Sequence, residues 1–158
     1  MALGSVDGYN GEECLAEEKS MKSVHASAAI IMREGTVFCA HRTAGDAGPG
    51  WEFPGGPVEN GESAEDTLRR VMREKLGVRV STMWLLDTVE YDCPDYHLTM
   101  DCFVCALVPG EEPQPVEHDE VAWLDRDGLL RVDWLSADRR VVSVLGSYWD
   151  QIFSSMHL

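Results

Sequence analysis

The stretch that most constrains this chain is residues 55–78, GGPVENGESAEDTLRRVMREKLGV, where paired glycines lead into a run of helical spacing that ends on another glycine. Leu68, Val71, Met72 and Leu76 recur three and four residues apart, the interval of one helix face. Ser63, with Asp66 three residues on, makes a start like a capping box, and Gly77 supplies a stop. Together they predict a helix over residues 63–76. Arg70 stands one turn before Glu74, and Val71 one turn before Glu74 and Lys75, so these four positions form one patch. Glu62 can fold toward Arg70 and lock the preceding loop onto the helix. Gly55 and Gly56 let backbone carbonyls approach whatever the patch binds.

The rest of the chain supplies a sheet for that helix. VHASAAIIMR and TVFCAHR, separated by EG, read as two strands joined by a tight turn. TAGDAGPGWEFPGG has the glycine and proline density of a loop. RVSTMWLLDTVEYDC and YHLTMDCFVCALV form a hairpin across Pro94 and Asp95, and a proline-rich loop leads to a short strand, VAWL. A last helix is predicted from Ala137 to Ser154, with Val141, Val142, Leu145, Trp149 and Ile152 on one stripe. This order predicts an α+β fold, a mixed sheet with helices packed on it, over residues 21–158. Residues 1–20, acidic and without periodicity, predict a flexible extension.

Charge narrows the ligands. Against 13 Lys and Arg stand 28 Asp and Glu, a formal net charge of -15 that repels a nucleic-acid polymer. A small phosphate ligand escapes this exclusion, because a divalent ion can bridge carboxylates and phosphate oxygens. The absence of a long apolar run or an apolar N-terminal leader predicts a cytoplasmic protein without a membrane partner. Five cysteines are an odd number, and Cys102 and Cys105 sit three apart on a predicted strand, facing opposite sides. They predict structural thiols rather than a zinc site.

The 55–78 stretch resembles the signature of the Nudix hydrolases, Gly-x5-Glu-x7-Arg-Glu-U-x-Glu-Glu-x-Gly-U with U aliphatic. Gly56, Glu62, Arg70, Met72, Glu74, Gly77 and Val78 fall on it in register, and WEFPGG ahead of it is similar to the MutT-like branch. The likeness extends from about Val24 to Leu145 and includes the members similar to CTP pyrophosphohydrolase. It implies the Nudix fold, a mixed β-sheet packed between helices as an α/β/α sandwich, and metal-dependent cleavage of a nucleoside triphosphate to the monophosphate and pyrophosphate, in a monomer or homodimer. The implied cofactor is Mg2+ or Mn2+. The implied metal ligands are Glu74, the Gly55 carbonyl, Glu62 and Glu117; Glu74, Glu62, Arg70 and Glu117 are the implied catalytic set. Arg42 and Asp138 fall where the branch contacts the nucleotide, and an ionised Asp138 would accept hydrogen bonds from an amino-bearing base edge, a poor match to uracil.

Two signature glutamates are replaced, by Val71 and Lys75. An ammonium in place of a carboxylate beside a divalent ion reverses an interaction of up to ~4 kcal/mol at 4 Å and an effective dielectric of about 20. The implied activity is therefore reduced, and a domain that binds a nucleotide without cleaving it is the alternative. Hydrolysis of another diphosphate is a third reading. Lys75 reads either as a solvated helix charge or as a replacement cation touching phosphate. Asp138 reads either as a helix-start acid or as the base contact.

Overall fold

The computed structural model describes residues 22–43, 45 and 48–155. The acidic extension predicted over 1–20, and Cys14 within it, lie outside them. Strand β1 (Lys22–Arg33) alternates cleanly: Ala28, Ile30 and Met32 enter one core, Ala29 and Ile31 the other. β2 (Thr36–Arg42) follows through Glu34 and Gly35, which both have positive φ, 52° and 76°. That backbone matches the turn that best suits a two-residue hairpin. β5 (Val80–Asp92) and β6 (Tyr96–Leu107) form the expected antiparallel hairpin, and β6 lies parallel to β1 along its length.

Two short strands, β3 (Gly50–Glu52) and β4 (Gly55–Pro57), arise inside the predicted loop. Their composition hid them, because they are held by backbone pairing with β2 and β1 rather than by apolar side chains. β7 (Glu120–Leu124) joins β2. The sheet order is β3-β2-β1-β6-β5, with β4 paired to β1 and β7 to β2.

Helix α1 (Ala64–Leu76) covers one face. Its cap is as predicted: the Asp66 amide donates to the Ser63 hydroxyl at 3.0 Å, and Gly77 closes it at φ 67°. Leu68, Val71, Met72 and Leu76 pack against Phe38, Phe103 and Cys105. The other face carries the short helix α2 (Arg126–Leu129), α3 (Arg139–Ser147) and α4 (Trp149–Ser155), packed on Cys39, Cys102 and Val104. The result is the α/β/α sandwich. Cys102 and Cys105 face opposite cores, and Cys39, Cys93, Cys102 and Cys105 are free thiols.

The single C-terminal helix predicted over 137–154 is two helices, and α2 was not foreseen. The run breaks at Tyr148, after Gly146 and Ser147, which favour helix poorly. There the Arg126 guanidinium donates to the Gly146 carbonyl at 3.0 Å, satisfying a helix-end acceptor. No helix among the described residues is long and apolar enough to cross a membrane.

Candidate functional site

The site begins with β4. Gly55 pairs with Ala28 and Gly56 with Ser27, so backbone crosses backbone where no side chain fits. A Cβ on Gly55 would lie 2.2 Å from the Ser27 carbonyl oxygen, and one on Gly56 2.9 Å from Val71 Cγ2. The start of α1 is tied to the same place, because the Ser27 hydroxyl donates to the Ala64 carbonyl at 2.8 Å.

The loop between β4 and α1 is locked as its spacing predicted. Arg70 Nε and Nη2 donate to the two Glu62 carboxylate oxygens at 2.8 and 3.1 Å, and Nη2 also reaches the Pro57 carbonyl at 3.0 Å. The Thr67 hydroxyl donates to Glu62 at 2.6 Å. This bonding, led by the Arg70 guanidinium and then Thr67, pulls the Glu62 carboxyl down to about 2. With its folded value below the usual 4.5, Glu62 stabilises the fold above pH about 4.5 and loses that contribution as pH falls toward 2. Carboxyl-carbon NMR is expected to follow Glu62 titrating near pH 2, and to find it back in the ordinary glutamate range in Arg70→Ala.

The patch read from helical spacing needs correction at Val71. That side chain is 1% exposed and belongs to the core beneath α1, touching the patch only from below at Gly56. The remaining three positions separate into two groups. Glu74 turns to Arg70, with Nη1 at 3.1 Å. Lys75 turns the other way: its Nζ donates to the Gly55 carbonyl at 2.8 Å and pairs with Glu117 at 3.4 Å.

The open cleft above β4 has a volume of about 380 Å³ and is lined by Gly55, Gly56 and Lys75 at one end and by Arg42, Glu52 and Asp138 elsewhere. A second cavity of about 330 Å³ shares Glu52 and Asp138 with it and continues past Tyr91 and Ala137. Glu62, Arg70, Glu74 and Glu117 do not line the cleft; Glu117 reaches it through Lys75.

Glu52 and His118 organise this wall. Arg42 is held by Glu52, with Nε donating at 2.8 Å. His118, in the loop before β7, approaches the same Glu52 oxygen at 2.8 Å and is almost fully enclosed. Glu52 thus ties the Glu117 loop to the cleft across 66 residues of sequence, a link that no local pattern announces.

Asp138 is 5% exposed at the helix start before α3, and accepts from the Phe53 amide at 3.3 Å. Burial, against that hydrogen bond, pushes its carboxyl up to about 8, with the Glu52 charge adding to the rise. This burial favours the protonated carboxyl at neutral pH, where the sequence predicts an ionised acceptor. A neutral carboxyl can donate as well as accept. The charge argument against uracil falls with it.

The donors fit a divalent ion poorly. Mg2+ asks for six oxygens at about 2.0–2.1 Å. Here the Gly55 carbonyl is taken by an ammonium, Glu74 and Glu62 are turned to Arg70, and Val71 offers nothing. Among the described residues no group of three or more His, Cys, Asp or Glu side chains is arranged to hold a metal.

Residues 21–145 match the family described as the NUDIX domain. The chain is 31% identical over 127 residues to an 8-oxo-dGTP diphosphatase of Escherichia coli, a match covering 79% of this chain and 98% of that protein. It is 29% identical over 131 residues to the CTP pyrophosphohydrolase of the same organism, covering 75% and 87%. The solution structure of the E. coli ORF135 protein superposes with a TM-score of 0.70 at 27% identity, covering 89% of this chain and 95% of that one.

Proposed function

This chain belongs to the NUDIX domain family, in its MutT-like branch, and from that premise we propose that its cleft takes a nucleoside triphosphate and cleaves it slowly to the monophosphate and pyrophosphate. The observation that carries the reading is one cleft lined at one end by the close-packed Gly55 and Gly56 with Lys75, and elsewhere by the buried Asp138. Phosphates go to the first end and the base to Asp138.

In this reading Asp138, neutral at pH 7, donates from one carboxyl oxygen to an acceptor on the base while accepting from a neighbouring N–H. Cytosine offers such a pair at N3 and its amino group, and an oxidised guanine at O6 and N7. Both agree with the substrates in the relatives' names. Glu52 holds Arg42 on the wall, where its guanidinium faces the ligand. Water attacks the α-phosphorus, the bridging oxygen leaves with pyrophosphate, and Glu117, which reaches the cleft through Lys75, is the carboxylate left to steer that water, Glu74 being turned to Arg70. The chain's own donors, engaged by Lys75 and Arg70, do not preload a divalent ion. This is why cleavage is slow.

The second reading, binding without cleavage, is favoured by the Lys75 ammonium seated on the Gly55 carbonyl. One assay separates the two. Purified protein is incubated with CTP, the other common triphosphates and 8-oxo-dGTP, with Mg2+ or Mn2+, and pyrophosphate is measured. Release above the protein-free control is the expected result. No release, with one nucleotide raising the melting temperature by mass action, would leave the binding reading in its place.

A further inference from the structure

We propose that Lys75 takes the place of a divalent ion at the phosphate end of the cleft, so that this chain binds nucleoside polyphosphates in their metal-free form and divalent ions weaken that binding. The inference rests on the nucleotide reading above, and concerns how the phosphates are held.

Lys75 stands in the last turn of α1, yet its amine reaches a carbonyl 20 residues earlier, at 2.8 Å. Gly56 lies beside that path: a Cβ there would make an ordinary contact with the amine at 3.7 Å, and would crowd Val71 Cγ2 at 2.9 Å. The side chain is 23% exposed, so its stem is largely enclosed while the head faces the cleft. An ammonium has three donors. One is spent on Gly55 and one points toward Glu117, which leaves a third for a phosphate oxygen.

The neighbouring cations are less available. Arg42 is committed to Glu52 through two nitrogens, at 2.8 and 2.6 Å, and Arg70 to Glu62, Glu74 and Pro57. The carboxylate opposite Lys75 is held loosely by comparison. Glu117 is 49% exposed and 3.4 Å away, so an anion of higher charge can displace it. A chain of net charge -15 needs a cation at this point to receive a polyphosphate at all. Mg2+ on the nucleotide lowers the negative charge that Lys75 meets and brings a second cation against its ammonium. The metal-bound nucleotide is therefore the poorer ligand.

Titration calorimetry of the full chain tests this with CTP, 8-oxo-dGTP and inorganic tripolyphosphate, each in EDTA and in excess Mg2+. Binding in EDTA is expected to be tighter than in Mg2+ by about threefold or more, and Lys75→Met to weaken it at least about tenfold while Lys75→Arg retains most of it. Tripolyphosphate has no base, so its loss of binding in Lys75→Met assigns the effect to the phosphate end. Binding that requires Mg2+ in the parent chain overturns the inference and leaves the nucleotide reading standing. No binding of any nucleotide under either condition overturns both. The comparison of EDTA with Mg2+ uses the parent chain and holds even if a variant folds poorly.

Discussion

Replacing Val71 and Lys75 together by glutamate is expected to raise Mg2+-dependent pyrophosphate release by about 100-fold or more, equivalent to roughly 2.7 kcal/mol of barrier. Lys75→Glu frees the Gly55 carbonyl from the ammonium and sets a carboxylate beside it. Val71→Glu adds a second carboxylate immediately under Gly56. The gain has a cost in stability, because position 71 is 1% exposed and lies in the core with Leu68, Met72 and Leu76. A carboxylate there without a cation is expected to destabilise the fold by about 2–4 kcal/mol. The double variant should therefore melt well below the parent in EDTA and recover with Mg2+, since a ligand bound only to the folded state stabilises it. The parent should show no such recovery. Unchanged turnover in a double variant that is folded in Mg2+ would mean that the loss of activity does not lie at these two positions.

Gly55→Ala is expected to cost at least about 3 kcal/mol in urea unfolding. The added methyl would stand 2.2 Å from the Ser27 carbonyl oxygen and 3.0 Å from the Ala28 Cα, so only backbone can yield. Ser27 cannot move alone. It is 1% exposed, pairs with Asp101 on β6, and its hydroxyl holds the start of α1. Relief of the clash would push β4 away from β1 and carry the Gly55 carbonyl and the Lys75 amine out of register. A loss below about 1 kcal/mol would contradict the tight crossing on which the cleft floor depends.

Much of the architecture follows from short-range patterns. The two-residue alternation through Ala28 to Met32 assigns both faces of β1, and the spacing from Leu68 to Leu76 assigns the buried face of α1. Ser63 and Gly77 mark its ends through contacts no more than a few residues long. The Glu62 to Arg70 lock was legible for the same reason, since a helix fixes where residue 70 stands relative to its own start. Helical geometry also misled: it put Val71 with Glu74 and Lys75 as neighbours, but could not say that the core would claim the first of them.

By itself, the sequence determined the sandwich, the signature helix and the loss of two acidic groups from it, because periodicity, caps and residue identity act within a turn or a strand. Only the tertiary structure decided that the Lys75 amine sits on the Gly55 carbonyl, that His118 and Arg42 meet at Glu52, and that Asp138 is buried enough to keep its proton. Each depends on where distant backbone segments cross and on how much water they exclude, and neither is set by the residues adjacent in the chain.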